Sequence, residues 1–226
     1  MRTLVATLAT ALSLAMAPVV HAQQDDDLAR PKLLAAMGLL EAAEATVRHP
    51  AAPDFTIALP GSDDVRVERL DVPEGQTDVL ASWEFRAEGV GVIETLTLTM
   101  ARVDPAERVL RQFAMANLLV LRSYAEIARQ FPGARLLAFG PVMRDDDLSA
   151  VQAIGNFATE DGRRLVFRHV GLMDEGRAEA LVAIINIDPE RMPVRNDAEV
   201  LDTYAGRALQ SLRLVPEDKT GNDGAE

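Results

Sequence analysis

The longest strand pattern in the chain runs from Val90 to Val103. Within this stretch apolar residues alternate with threonines. One set is Leu96, Leu98 and Met100, and the other is Thr95, Thr97 and Thr99. Because successive side chains of a strand point to opposite faces, this period of two predicts a sheet with one apolar face and one wetter face. The fold must therefore be built around a sheet that buries one face.

Shorter strand patterns lie on both sides of this stretch. Before it they cover Asp54 to Leu59, Val65 to Val72 and Asp78 to Phe85. After it they cover Leu136 to Val142, Leu148 to Thr159, Arg164 to Leu172 and Ala178 to Ile187. The dipeptide Asp161-Gly162 predicts a two-residue hairpin turn. The last strand is apolar on both faces, which predicts a central position with a layer on each side.

A long helix is predicted between the two groups of strands, from Pro105 to Gln130. Its start is indicated by Asp104 as N-cap, proline at the first helical position and Glu107 at the third. Its apolar stripe comprises Val109, Phe113, Ala116, Val120, Tyr124 and Ile127, widened by Leu118, Leu119 and Leu121. A stripe this wide predicts that the helix lies deep against the sheet.

A final helix is predicted from its N-cap Asp197 to about Leu212. Its candidates for burial are Val200, Leu201, Tyr204, Leu209 and Leu212. These elements together predict an α+β fold, a largely antiparallel β-sheet flanked by helices. We expect residues 54–215 to form this single domain. Residues 216–226 are polar and short of apolar side chains, which predicts a disordered tail.

The first 22 residues have the pattern of an export signal. One positive charge, Arg2, precedes an apolar run from Leu4 to Ala17, and Val20-His21-Ala22 has the small-x-small form of a cleavage site. The run is too short to span a membrane. We therefore expect a mature chain that starts at Gln23 and is periplasmic or secreted. The chain has no cysteine, so it lacks the acylated residue of a bacterial lipoprotein, and we expect no stable membrane anchor.

Residues 23–53 are predicted to form an extra N-terminal helix, Leu28 to Arg48, followed by a proline-rich linker, His49 to Pro53. The helix carries a narrow apolar seam formed by Leu33, Ala36, Leu40, Ala43 and Val47. We expect this helix to pack on its own domain, which favours a monomer over a dimer. The alternative is an arm that binds another subunit or partner.

Charge and composition exclude several classes of function. The whole chain has a formal net charge of −12, and removal of Arg2 with the signal leaves 22 basic against 35 acidic residues, or −13. Such an excess repels phosphate backbones, so we expect no nucleic-acid partner. The absence of cysteine excludes disulfides, a thiol nucleophile and zinc sites of the cysteine type.

Few residues are candidates for a catalytic role. His169 lies on the same strand face as Leu165 and Phe167, and no orienting partner or nucleophile for it can be identified from the sequence. Glu84 and Glu94 lie on neighbouring predicted strands and are the candidate pair of carboxylates. If the protein were a secreted hydrolase of unusual type, it would use His169 or such a pair.

Two acidic clusters have the residue type of a metal site. They are Asp63-Asp64 and Asp145-Asp146-Asp147, both in predicted turns. Consecutive aspartates on an extended chain cannot all converge on one cation, and the alternating spacing of a calcium loop is absent. The sequence thus identifies no catalytic, cofactor-binding or metal-binding residue, and we expect no cofactor.

The order of elements resembles the α/β/α sandwich shared by PsbP-type photosystem extrinsic proteins and DcrB-type bacterial envelope proteins. The residues that carry the resemblance are the entry strand Asp54 to Pro60, the hairpins from Leu148 to Asp188 and the closing helix that ends at Ser211-Leu212. The chain departs from lipid-anchored members in having no cysteine. The resemblance implies a non-catalytic binding, adaptor or assembly role in the envelope, with an unknown protein or small-molecule partner.

Overall fold

The computed structural model describes residues 43–49, 52–72, 75–104, 107–146, 148–174 and 177–215. The strands, in chain order, are β1 (Ala43–His49), β2 (Ala52–Leu59), β3 (Val65–Leu70), β4 (Val79–Ala87), β5 (Gly91–Arg102), β6 (Arg135–Val142), β7 (Ser149–Ala158), β8 (Arg164–Met173), β9 (Glu179–Ile187) and β10 (Arg213–Leu214). The helices are α1 (Arg108–Leu118), which continues through a π-helical segment (Leu119–Tyr124) into α2 (Ala125–Gln130), then α3 (Asp197–Leu201) and α4 (Tyr204–Ser211).

Seven strands form one sheet in the order β3-β4-β5-β9-β8-β7-β6, with every neighbouring pair antiparallel. This confirms the predicted α+β class and the antiparallel sheet. Strand β9 lies fourth of the seven, between β5 and β8, and all but its first residue are buried. The doubly apolar pattern of this strand therefore predicted its central position correctly, because a strand in mid-sheet is covered on both faces.

One face of the sheet is covered by α1 and the π-helical segment, which pack on β7 and β8, and by α2, whose Ile127 lies in one apolar cluster with Phe157 and Phe167. The buried residues of this layer recur every four positions, and they are Arg111, Met115, Leu119, Ser123 and Ile127. An α-helix with 3.6 residues per turn would rotate such a row steadily away from the sheet. The π-helical segment makes i→i+5 hydrogen bonds, so it holds more residues per turn and keeps Ser123 and Ile127 facing the sheet.

The predicted apolar stripe of this helix is therefore partly wrong. Val109 and Phe113 were expected to be buried, but their side chains are 72% and 66% exposed. The stripe assumed an ideal α-helix that is apolar on most sides, and nothing in such a pattern selects the buried face. The predicted N-cap is wrong as well. Helix α1 begins at Arg108 with Glu107 at the N-cap position, and Pro105 lies outside the described residues.

The opposite face is covered by α4 and by a second sheet of three strands, β1-β2-β10. Strand β2 alternates as predicted, with Phe55, Ile57 and Leu59 buried in the main core. Strand β1 is the main correction to the sequence analysis. Residues 43–48, expected to end the N-terminal helix, instead form a strand. Of the predicted linker, His49 ends β1, Ala52 and Pro53 begin β2, and residues 50–51 lie outside the described residues.

Tertiary contacts explain why this segment is a strand and not a helix. Strand β1 pairs antiparallel with β2, with Val47 opposite Phe55, and Val47 is 3% exposed in the core. Pairing with an apolar strand gives this segment a better way to bury Val47 than its weak helical periodicity would. The predicted signal (1–22), the helix from Leu28 up to residue 42 and the tail (216–226) all lie outside the described residues, so the docking of that helix stays a prediction.

The predicted closing helix is divided in two. Helix α3 is capped by Asn196, not Asp197, and the Asn196 side chain accepts a hydrogen bond from the backbone N–H of Glu199 (3.0 Å). Helix α4 is capped by Thr203, whose hydroxyl accepts from the N–H of Gly206 (3.1 Å). The predicted burial of Val200, Tyr204, Leu209 and Leu212 is confirmed, and Leu201 is half-buried.

Candidate functional site

His169 lies on the sheet face beneath the π-helical segment and is fully buried. Its Nδ1 is hydrogen-bonded to the hydroxyl of Ser123, and its ring lies 5.1 Å from the ring of Phe167. Its Nε2 is buried without a hydrogen-bond partner. Burial lowers the pKa of His169 to about 3, so the ring is neutral. A serine–histidine pair with neither side chain accessible has no route to a substrate.

The two candidate carboxylates do not meet. Glu84 is paired across the β4–β5 ladder with Thr95, whereas Glu94 is paired with Phe85. Directly paired residues share a face of a sheet and adjacent residues do not, so Glu84 and Glu94 project to opposite faces. Glu84 instead forms an ion pair with Arg86. The structure therefore does not bring these two candidate acids together.

Glu94 is fully buried beneath the first turn of α4. Its Oε2 accepts a hydrogen bond from the backbone N–H of Ala205 (2.8 Å), while its Oε1 is buried without a partner. Burial raises the pKa of Glu94 to about 8, an effect that hydrogen bonds from Ala205 and Thr203 and the charge of Arg168 only partly offset. At neutral pH this carboxyl is mainly protonated, and its role is to hold α4 on the sheet.

The aspartates of the β6–β7 loop are engaged by arginines. Asp146 accepts hydrogen bonds from Arg144 Nε (2.8 Å) and Nη2 (2.5 Å), and Asp145 forms an ion pair with Arg213 (3.2 Å). Asp147 lies outside the described residues. Among the described residues no group of three histidines or acids has the arrangement of a metal site. These loop aspartates serve to neutralise and position arginines.

A cavity of about 260 Å³ opens between this loop and the last two helices. Its apolar wall consists of Val142, Val170, Leu201 and Leu209, and its polar lining includes Arg144, Arg168 and Gln210. Concave sites with mainly apolar walls and a few converging polar groups are typical of small-molecule binding. This cavity is the candidate functional site.

Arg144 lines the cavity and is held by several hydrogen bonds. Besides its two bonds to Asp146, it donates to the backbone carbonyls of Leu209 (3.1 Å) and Leu212 (2.9 Å). These carbonyls belong to the end of α4, where orphan C=O groups attract cations. Arg144 thus joins the β6–β7 loop to α4, and these contacts use four of its five guanidinium hydrogens.

Arg168 is different, because its charge has no acidic partner within hydrogen-bond reach in the described part of the chain. The side chain leaves β8 on the face opposite His169, and the residue is only 2% exposed. Its Nε donates to Gln152 Oε1 (2.9 Å), and its Nη1 has no hydrogen-bond partner. Burial, reinforced by nearby Arg144, lowers the pKa of Arg168 to about 10, which leaves it protonated at neutral pH.

The sequence analysis did not identify Arg168. The sequence does show a charged residue inside the apolar strand Leu165 to Val170. It lies on the strand face opposite Leu165, Phe167 and His169. Because both faces of β8 are buried, a charge on either face must enter the protein interior. A second cavity of similar volume lies at the far end of β6 and β7, but its arginines, Arg135 and Arg164, are exposed.

Comparison with solved structures identifies the fold. The solution structure of cyanobacterial PsbP (CyanoP) from Synechocystis sp. PCC 6803 superposes with a TM-score of 0.51 at 10% sequence identity, over 79% of this chain and 96% of that one. The fold is PsbP-like. This confirms the architecture that the entry strand and the closing helix implied. At this identity the PsbP-like similarity shows the fold alone.

Two further structures match over most of their length. LpqN of Mycobacterium tuberculosis, described as involved in cell envelope biogenesis, has a TM-score of 0.45 and 13% identity, over 80% of this chain and 95% of LpqN. The Ran-binding protein Mog1p of Saccharomyces cerevisiae has a TM-score of 0.47 and 10% identity, over 77% and 96%. No protein-family model and no curated protein sequence matches the chain. Within the described residues, no helix is long and apolar enough to cross a membrane.

Proposed function

We propose that this chain is an exported, non-catalytic binding protein of the bacterial envelope, located in the periplasm or outside the cell. The observation that carries the proposal is the cavity lined by Arg168, a buried arginine that forms no ion pair with a described residue and whose Nη1 has no hydrogen-bond partner. A charge removed from water without a partner is costly, so the site favours a ligand that brings the opposite charge.

The alternative, a secreted hydrolase, finds little support at its candidate residues. Ser123 and His169 are both fully buried, and His169 lines neither of the two cavities described above. A general base must reach the proton it abstracts in a substrate, directly or through one water. Glu84 and Glu94, on opposite faces of the sheet, fail the same requirement for a pair.

Support for export comes from the first 22 residues. The apolar run and the small residues Val20 and Ala22 match a cleaved signal, and the acidic mature chain is suited to remaining in solution. The PsbP-like fold is compatible with such a role without determining it.

Expression of the full chain in a bacterial host, followed by intact-mass measurement of the periplasmic fraction, tests export. We expect a product that begins at Gln23. An Ala22→Phe variant, which places a bulky residue at the cleavage site, is the control and should stay unprocessed. A cytoplasmic, full-length product from the unmodified chain would exclude export.

Native mass spectrometry of the same preparation tests binding. We expect a fraction of the molecules to carry a non-covalently bound small molecule. A preparation that is free of any ligand would contradict the proposal. Hydrolysis of p-nitrophenyl esters that is abolished in a folded His169→Phe variant would favour the hydrolase instead.

A further inference from the structure

We propose that the cavity at Arg168 binds a single carboxylate group carried on a short apolar chain. This inference rests on the proposed binding function and specifies its ligand. It follows from the geometry of one arginine, from the charges around it and from the shape of the cavity wall.

The hydrogen-bonding capacity of Arg168 is only partly used. Gln152 Oε1 accepts a hydrogen bond from Nε of Arg168, and this contact fixes the plane of the guanidinium. Nη1 is buried without a hydrogen-bond partner, in a residue that lines the cavity and is only 2% exposed. A guanidinium presents its donors as a rigid planar fork that matches the two oxygens of a carboxylate. The donors of this site are therefore complementary to a planar acceptor with a negative charge.

The charges around the cavity define how much negative charge the site accepts. In the adjoining loop, Arg144 and Arg213 are matched by Asp145 and Asp146 through ion pairs. Arg168 is then the cavity-lining cation that forms no ion pair with a described residue, and the acids that act on its charge, Glu94 and Asp197, do so from a greater distance. One positive charge is neutralised by a monoanion, whereas a dianionic phosphate would leave an excess negative charge beside Asp145. The balance therefore favours a carboxylate.

The remainder of the ligand must be apolar. Val142 and Val170 form the wall on the sheet, and Leu201 and Leu209 form the wall on the helices. The volume of 260 Å³ lies near the lower end for small-molecule sites, roughly 300 Å³, so the ligand is small or enters with one end. Met143, which is 96% exposed, stands at the rim and offers a flexible apolar surface to whatever extends outward.

Octanoate is a suitable probe, because it combines one carboxylate with a short alkyl chain. Titration calorimetry on the mature chain should show saturable binding of octanoate, and binding of octanol about tenfold weaker or more, since the alcohol lacks the charge. Inorganic phosphate at the same concentration should not compete with octanoate. Equal affinities for octanoate and octanol would overturn the proposal without any mutation of the protein.

Variants then locate the site. Arg168→Gln should weaken octanoate binding by about tenfold or more, with little effect on octanol. Arg135→Gln, at an exposed arginine of the other cavity, is the matched control and should bind octanoate like the unmodified chain. If Arg168→Gln does not fold, Leu201→Trp keeps the arginine, fills the cavity and should abolish binding of both probes. Unchanged octanoate binding in folded Arg168→Gln or Leu201→Trp would overturn the proposal.

The outcomes separate this inference from the proposed function. If octanoate does not bind but native mass spectrometry shows another small molecule, the carboxylate assignment is wrong and the binding function stands. If neither octanoate nor any native ligand binds, both proposals are wrong.

Discussion

The hydroxyl of Ser123 and Nδ1 of His169 form a hydrogen bond between the π-helical segment and strand β8, and both side chains are fully inaccessible. The pair has the residue types of a nucleophile and its base, yet its position makes it a polar link inside a core. The π-helical segment is what places Ser123 there, because it shifts the buried row of the helix back toward the sheet.

Removing this link should reduce stability. In Ser123→Ala, His169 Nδ1 loses its partner in a dry environment while Nε2 is already unpartnered. We expect the free energy of unfolding to fall by about 1–3 kcal/mol, as for other orphaned buried groups. Urea denaturation monitored at Trp83 measures this loss. A change below about 0.5 kcal/mol, the size of an ordinary surface substitution, would mean that the bond contributes little.

Stability should pass through a maximum between about pH 4.5 and 6.5. The pKa of His169 is about 3 in the folded protein against an ordinary value of 6.5, so the unfolded chain binds more protons in that interval and stability falls as pH falls from 6.5. The pKa of Glu94 is about 8 against an ordinary value of 4.5, so the folded protein binds more protons and stability falls as pH rises from 4.5 to 8. Between 4.5 and 6.5 the two effects oppose each other. Chemical denaturation at a series of pH values gives the profile.

Glu94→Gln should reduce the decrease of stability on the alkaline side of this pH profile. Glutamine can keep the acceptor for the Ala205 N–H but has no proton to lose, so the slope of at most about 1.4 kcal/mol per pH unit contributed by Glu94 disappears above pH 6.5. Glu88→Gln, at an exposed turn position, is the control and should retain the decrease. If the profile of Glu94→Gln is identical to that of the unmodified chain, other groups cause the decrease of stability at alkaline pH.

The buried face of α1 can be tested by paired substitutions. Met115 is fully buried, and we expect Met115→Ala to cost about 2–5 kcal/mol. Phe113→Ala removes a larger but exposed side chain and should change stability by less than about 0.5 kcal/mol. Thermal and urea denaturation measure both. A larger loss of stability in Phe113→Ala than in Met115→Ala would support the buried face that the sequence predicted.

The packing of Met115 against β8 predicts a further effect. A Cβ at Gly171 would lie only 2.2 Å from Met115 Sδ, so Gly171→Ala overfills this contact. We expect a loss of about 1–3 kcal/mol. The double variant Gly171→Ala with Met115→Ala should cost less than the sum of the single changes, because the methionine that clashes is gone. Additive losses would show that the strain arises elsewhere.

Strand β1 gives a test of the segment whose structure the sequence analysis mistook. Val47 is buried and Thr46, beside it on the opposite face, is exposed. Val47→Asp should destabilise the domain by about 3 kcal/mol or more, because it buries an unpaired charge, whereas Thr46→Asp should have a small effect. If residues 43–48 were a detached helix, both variants would melt like the unmodified chain.

The elements that the sequence predicted well are those whose own residues decide their structure. The alternation in β2 and the apolar run of β9 follow from side chains that must face a core or solvent. In β5 the residue types alternate, but the predicted wetter face is wrong, because layers cover both faces of the sheet and Thr95, Thr97 and Thr99 are all buried. The path of β1 and the buried face of α1 were mistaken, because each depends on what lies opposite: β2 in one case, and the surface of β7 and β8 in the other.

The candidate site was less accessible to sequence reasoning than the fold. The sequence indicated that Arg168 lies in an apolar strand, but not that it enters a cavity with one donor unused. That outcome depends on Arg144, which turns its own guanidinium to Asp146 and the end of α4, and on Gln152 from the neighbouring strand. Both partners are distant from Arg168 along the chain, and only the sheet register brings them together.

The sequence by itself determined the antiparallel sheet, its central strand and the layers that cover it, because binary patterns of apolar and polar residues act locally and repeat along each element. The tertiary structure alone decided which carboxylates share a face, which histidine is buried and which arginine forms no ion pair with a described residue. Those results depend on long-range pairing and on the exclusion of water. Both change the energy of charged groups, and neither can be read from a local sequence pattern.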